Sequence, residues 1–247
     1  MFRRIFVPAA ALALCAGPAA AYRPLITEDT RFLGRDVRQV EAGFEHAVSR
    51  EGRDVYSNTL LGEMSYGLFD GVDLQLSAPW HGWSSHGVSE AGPGDVSMEA
   101  KFRAAERGGW TLAVKPGFSL PAGNEARSLG AGAGRAWVYG LAGKSDGDRR
   151  YYLNAGFLLN RNSLGERENI LRVSAAAARR LAAGLTAAAD LAAETNPVKG
   201  EATPPLSAVL GLVWSPYGTL DLDAAVRFGL TRPAPDYGLI AGLTLRL

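Results

Sequence analysis

The chain has 247 residues, 47% hydrophobic and 21% charged, with a formal net charge of +1 at pH 7. That balance argues against a disordered acidic or basic chain, and it offers no basic field that would draw nucleic acid. Beyond the N-terminus no run of about 20 apolar residues occurs, which argues against a helical membrane protein.

Residues 1–21 read as a secretory signal peptide. Arg3 and Arg4 form the charged start, Ile5 through Ala16 a short apolar stretch, and Ala19-Ala20-Ala21 the small-residue cleavage site. Leu14 before Cys15 does not suit a lipoprotein site. Cleavage after Ala21 removes the only cysteine, and the loss of two arginines takes the mature charge to 24 − 25 = −1.

The next segment, residues 22–36, is too polar for lipid and has no long alternation. It carries Arg23, Glu28, Asp29, Arg31, Arg35 and Asp36, with apolar Leu25, Ile26, Phe32 and Leu33 between them. It can hang free as a frayed periplasmic terminus or fold into the mouth of a lumen. In the second case Glu41 and Glu63 on one side and Arg103 and Arg180 on the other would meet its charges.

From residue 37 to 247 the dominant signal is alternation with period two, the mark of strands with one apolar and one polar face. Strands are predicted near 37–49, 55–68, 72–83, 95–104, 110–120, 135–144, 150–160, 168–180, 185–194, 205–215, 220–230 and 237–247. In one of them Val96, Met98, Ala100, Phe102 and Ala104 share a face, opposite Asp95, Ser97, Glu99, Lys101 and Arg103. Most of these strands run about 9–13 residues, close to what a tilted strand needs to cross a bilayer. The Ala-rich stretch 173–194 is the weakest. A hairpin turning at 182–184 is the preferred reading and an amphipathic helix its rival.

The links between strands alternate in kind. Phe69–Gly71, Ala105–Gly109, Ser145–Arg149, Leu181–Gly184 and Pro216–Thr219 are tight, whereas Ser84–Gly94 and Pro121–Gly134 are long. Short turns at one end and longer loops at the other describe an all-β fold, a single antiparallel up-and-down barrel of about twelve strands with periplasmic termini. Tyr66, Trp110, Tyr151 and Trp214 near the tight turns read as one interface girdle. Tyr56, Trp80, Trp83, Trp137, Tyr139 and Tyr237 near the loops read as the other.

If the apolar face meets lipid, the polar face lines a lumen. The candidate lining residues are Glu41, Glu45, Glu63, Asp73, Glu99, Lys101, Arg103, Lys115, Arg172, Arg180, Asp190, Glu194, Asp221, Asp223, Arg227 and Arg246. The two signs nearly balance, which suggests paired charges rather than a filter of one sign. Hairpin arithmetic sets Glu99 opposite Lys115 and Arg172 opposite Glu194.

Catalytic signals are poor. His46 lies on the outward face, His81 inward and His86 in a loop, and no pair has metal-ligand spacing. Ser119, Ser163 and Ser174 lack the context that marks a nucleophile. The glycine run 129–134 lacks a following Lys-Ser/Thr and reads as a flexible outer loop. No enzyme, metal or cofactor is expected. The expected partners are outer-membrane lipid, periplasmic chaperones, the barrel assembly machinery and an unidentified small solute.

Several stretches together resemble the outer-membrane proteins grouped as the "MetA-pathway of phenol degradation" family. These are Arg23-Pro24-Leu25-Ile26-Thr27-Glu28-Asp29-Thr30, Tyr66-Gly67-Leu68-Phe69-Asp70-Gly71-Val72-Asp73-Leu74, Pro93-Gly94-Asp95-Val96 before a strand ending Lys101-Phe102, Pro121-Ala122-Gly123, and 234–247. The resemblance implies an outer-membrane transporter with no catalytic residue. Its name is a thin warrant for an aromatic solute. One departure is the final Leu247, where many such barrels end in an aromatic.

Overall fold

The computed structural model describes residues 23–50 and 54–247. The signal peptide and its cleavage site lie outside the described residues. The rest is built from thirteen strands: β1 (Arg38–Ser49), β2 (Val55–Phe69), β3 (Val72–Ser85), β4 (Val88–Pro93), β5 (Val96–Arg107), β6 (Trp110–Leu120), β7 (Arg135–Asp146), β8 (Arg149–Leu159), β9 (Asn169–Ala182), β10 (Leu185–Glu194), β11 (Leu206–Tyr217), β12 (Leu220–Gly229) and β13 (Tyr237–Arg246). Every pairing is antiparallel and between sequence neighbours, except that β3 pairs with both β4 and β5 and that β1 pairs with β13. The last contact closes the sheet into a barrel of twelve strands, with β4 standing outside the ring as a hairpin extension of β3. Closure removes the unpaired edges that an open sheet would expose.

The faces follow the alternation. Leu74, Leu76, Met98, Phe102, Leu153, Leu171, Leu191, Leu210 and Leu239 point outward and are exposed, whereas Asp73, Gln75, Ser77, Glu99 and Lys101 point inward and are buried. An apolar band outside and a polar interior suit a barrel in lipid. The stretch 173–194 is a β-hairpin. Its alanines alternate between the lipid side and the lumen, and the ladder with β8 and β11 on either side overrides their helix propensity.

Two features differ from the sequence reading. The segment 84–94 is not a simple loop: β4 folds back on β3 through His86 and Gly87, both at positive φ. Its six residues are too short for alternation to stand out. The β5–β6 hairpin turns on Gly108 and Gly109, with φ of 58° and 77°, the pair of left-handed residues that a two-residue hairpin favours. That tight turn, less one residue taken up by a bulge between Arg103 and Ala105, sets Glu99 opposite Gly117 rather than Lys115. The other expected register, Arg172 opposite Glu194, is observed.

Candidate functional site

The lumen is filled at mid-height, and what fills it is the chain's own segment 23–36. It enters at the end that carries the tight turns. There Asp36 N–H donates to the Gly67 carbonyl at 2.8 Å and Leu33 N–H donates to Asp73 at 3.2 Å. It then crosses between opposite walls. Glu28 lies between two lysines, with Lys115 Nζ at 2.9 Å and Lys101 Nζ at 3.3 Å. Asn154 Nδ2 donates to the Glu28 carbonyl at 3.2 Å. On the far wall Asp190 accepts from Ile26 N–H and Thr27 N–H, both at 2.7 Å, and from the Thr27 hydroxyl at 2.9 Å. Arg23 reaches Asp223 at 3.7 Å and donates to the Ala241 carbonyl at 3.0 Å.

Apolar contacts complete the docking. Leu25 is buried among Tyr152, Ala176, Ala178 and Ala188, and Ile26 packs on Val209, Ala225 and Ile240. Phe32 sits under two cations, 5.2 Å from Lys101 Nζ and 4.8 Å from the Arg103 guanidinium. Burial alone would raise the Asp29 carboxyl, but Arg31 beside it at 2.5 Å and Lys101 at 3.6 Å outweigh that and hold it below the ordinary carboxylate range.

The wall is shaped for the segment. A methyl group on Gly143 would overlap Thr30, and one on Gly43 or Gly242 would overlap Arg23. All three glycines fall at inward positions of their strands, so each vacates space the segment occupies. These glycines were missed in the sequence, where they look like the ordinary content of a kinked barrel. An inward glycine facing a polar segment is the signal that could have identified them.

Most of the predicted lining residues are where the alternation put them. Glu63, Asp73, Glu99, Lys101, Lys115, Asp190, Glu194, Asp221, Asp223 and Arg227 are buried in the interior. Pairs between adjacent or next-adjacent strands tie several together: Arg227 to Glu45 at 2.8 Å, Arg246 to Asp221 at 2.5 Å and Arg172 to Glu194 at 2.5 Å. Lys115 reaches Glu99 at 3.2 Å, so the expected ion pair exists, but diagonally across the shifted register. Glu41 faces inward beside Gln39, whose amide donates to it at 2.6 Å.

Arg180 is a correction. It has inward parity but lies past the barrel's mouth, exposed, 3.5 Å from Asp148 in the β7–β8 turn. Arg103 is also largely exposed at that mouth, 2.9 Å from Glu106, and meets the segment through Phe32 rather than through a charge. Of the four residues expected to receive the segment's charges, none makes an ion pair with it among the described residues. Lys101, Lys115 and Asp223 do so instead.

The loop half of the lumen differs in chemistry. Trp137, Leu158 and Ile170 form a buried apolar cluster with Tyr139 against it, and Trp83 is buried as well. Three of the six aromatics assigned to the loop-side girdle therefore turn inward. Trp137 Nε1 donates to Glu99 at 2.8 Å, and Arg172 donates to the Tyr139 hydroxyl at 3.1 Å. Tyr56 and Trp80 do face out, as do Trp110, Tyr151 and Trp214 at the other end. The glycine run 129–134 is pinned rather than loose. Asp95 accepts from Gly123 N–H at 3.0 Å and Ala131 N–H at 2.9 Å, and Arg135 lies 3.4 Å away. Leu129 and Ala131 within it are buried. In the next loop, burial raises the Glu166 carboxyl, opposed by the Asn160 amide that donates to it at 3.1 Å.

Two of the three histidines contact residues other than the serines named above. His46 Nδ1 contacts Asn58 Oδ1 at 2.9 Å, and His81 Nδ1 contacts Thr59 Oγ1 at 3.1 Å. Among the described residues no cluster of three or more His, Cys, Asp or Glu could hold a metal ion.

A family model described as "Putative MetA-pathway of phenol degradation" matches residues 21–247. The chain belongs to that family. Its barrel also resembles solved outer-membrane structures. The COG4313 outer membrane channel from Pseudomonas putida F1 aligns at TM-score 0.74 with 14% identity, over 89% of this chain and 98% of the other. The KdgM porin aligns at TM-score 0.53 with 13% identity, over 84% and 98% of the two chains. The β domain of the Bordetella autotransporter BrkA aligns at TM-score 0.52 with 14% identity, over the same shares. At these identities the likeness establishes the fold. No curated protein matches the chain.

Proposed function

We propose that this family member is a Gram-negative outer-membrane channel that passes small solutes by passive or facilitated diffusion, with residues 23–33 as its internal constriction. The observation that carries this reading is a segment held in the lumen by hydrogen bonds, ion pairs and small apolar contacts, on a wall whose glycines make room for it. A barrel sealed only for strength would need no such separable piece, since side chains alone can fill a narrow interior. That two of the similar structures are a channel and a porin supports the reading.

In this reading the termini and tight turns face the periplasm and the long loops face outside. The signal peptide directs export. Chaperones and the assembly machinery then meet a last strand whose Leu243, Leu245 and Leu247 lie in phase. The inward Trp83, Trp137 and Tyr139 offer flat apolar surfaces beside hydrogen-bonding groups, which supports aromatic or other weakly polar carbon sources as the solute class.

Deleting residues 24–34 while keeping the cleavage site tests this. Conductance in planar bilayers and solute uptake into liposomes should rise while the barrel still migrates as a folded species. Unchanged flux through an intact barrel refutes the constriction. A second reading has its own observation: the buried network of Glu28, Lys101, Lys115 and Glu99. If that network seals a structural barrel, the full chain carries no steady current.

A further inference from the structure

Below the docked segment, towards the tight turns, lies a chamber of about 180 Å³. Seven carboxylates line it, Glu28, Asp29, Glu41, Glu63, Asp73, Asp221 and Asp223, against four cations, Arg23, Arg31, Lys101 and Arg246. All four cations are committed, to Asp223, Asp29, Glu28 with Asp29, and Asp221 respectively. Among the described residues Glu41, Glu63 and Asp73 have no cation within ion-pair distance. Glu41 and Glu63 are direct cross-strand partners on the same face, an arrangement that like charges make unfavourable.

A second observation does not depend on the acids. Gln75 lines the chamber; its amide nitrogen donates to Glu63 at 3.4 Å, while its carbonyl oxygen is buried and has no hydrogen-bond partner. Gln75 is only 9% exposed. Asp223 Oδ1, likewise buried and unpartnered, lines the same space. Buried oxygens left without donors are normally satisfied by something else. Arg23 Nε is also without a hydrogen-bond partner, but it already faces the Asp223 carboxylate at 3.7 Å; what the two oxygens lack is a cation or a donor-rich ammonium.

We infer that this chamber is a binding site for a small monovalent cation, and that it makes the pore cation-selective. The inference rests on the channel reading for its second half only. A tight divalent chelate does not fit, because no three carboxylates converge closely enough to hold a metal ion among the described residues. Diffuse acceptors around a small chamber instead suit weak binding that lets an ion enter and leave. The segment contributes by covering Lys101 and Lys115 with Glu28, so the two lysines that would attract anions are neutralised from inside.

Two measurements test this. In planar bilayers under a potassium chloride gradient, the reversal potential of the wild type should report potassium over chloride. The Glu41→Gln/Glu63→Gln variant, checked for folded mobility, should lower that ratio about threefold or more toward unity. Equal ratios in the two proteins, or an anion-selective wild type, overturn the proposal. The second measurement needs no variant. Wild-type crystals soaked in thallium(I), a heavy stand-in for potassium, should show anomalous density between Glu41, Glu63 and Gln75, displaced by added methylammonium. A thallium-free chamber overturns the proposal and points to a proton shared by Glu41 and Glu63. A barrel that carries no steady current fails the channel reading, and the thallium result alone then decides the site.

Discussion

Asp190 anchors the internal segment on the far wall, and Asp190→Ala measures how firmly that segment is held. Its carboxylate accepts three hydrogen bonds, two from backbone N–H groups and one from a hydroxyl. Hydrogen bonds to a charged group contribute about 1.5–3 kcal/mol each. The three share one carboxylate, whose dehydration on docking opposes them, so a net loss of about 2–3 kcal/mol is expected. At 1.4 kcal/mol per factor of ten, the docked-to-free ratio falls roughly 30- to 140-fold. The assay places a cysteine at Leu25, which is buried against Tyr152 and three alanines. Cys15 is the only native cysteine, so Leu25→Cys in a Cys15→Ser background carries one thiol. Its maleimide labelling rate tracks the undocked fraction while docking is fast. Labelling should be slow in the Leu25→Cys protein and faster by the stated factor when Asp190→Ala is added. Equal rates in two barrels of folded mobility would refute the docking energetics.

Other expectations use the same scaffold. Leu74→Arg places a charge on the lipid face and should cost about 2–4 kcal/mol in a lipid-vesicle folding assay; undiminished stability would sink the face assignment. Gly143→Val should clash with Thr30 and weaken docking by about 1–3 kcal/mol, which would speed labelling of Leu25→Cys roughly 5- to 140-fold; a rate equal to that of Leu25→Cys alone would show that the wall does not need its glycine. Exchanging Glu99→Lys with Lys115→Glu should restore little stability in the full chain, because Glu28 would then face a carboxylate at position 115. The same exchange should restore most of it once residues 24–34 are deleted, and a double-mutant cycle measures both.

The barrel was legible in the sequence because its two faces meet different solvents. Lipid outside and polar groups inside impose period two on nearly every strand, and twelve of the thirteen strands lie where alternation predicts them. The exception, β4, pairs on one side only, as a six-residue hairpin extension of β3 outside the ring, so it has too few residues for a pattern to show. Trp83, Trp137 and Tyr139 were misread for a related reason. An aromatic near a strand end suits an interface girdle and a luminal cluster equally by composition, and only parity separates them. Trp137 and Tyr139 share parity with the inward, buried Leu141 rather than with the outward Val138, a sign available in the sequence and outweighed there by the girdle pattern.

The charges of the lumen were legible as a set but not as an arrangement. Counted along the strands, the inward acids and bases nearly cancel, and an electrically neutral interior follows. The count leaves out the segment, which enters from outside the strand pattern and adds its own charges at fixed places. Glu28 settles on the two lysines of β5 and β6, and Arg23 goes to Asp223 on the opposite wall. Among the described residues, the carboxylates left without a cation include Glu41, Glu63 and Asp73, which face the chamber. No strand-by-strand register could reveal this, because the partners that decide it lie far apart in sequence, as Arg23 and Asp223 or Glu28 and Lys115 do. The electrostatics of this barrel are set by where fourteen residues of a non-strand segment come to rest. The same fourteen residues that narrow the lumen therefore determine which ions find its remaining space favourable.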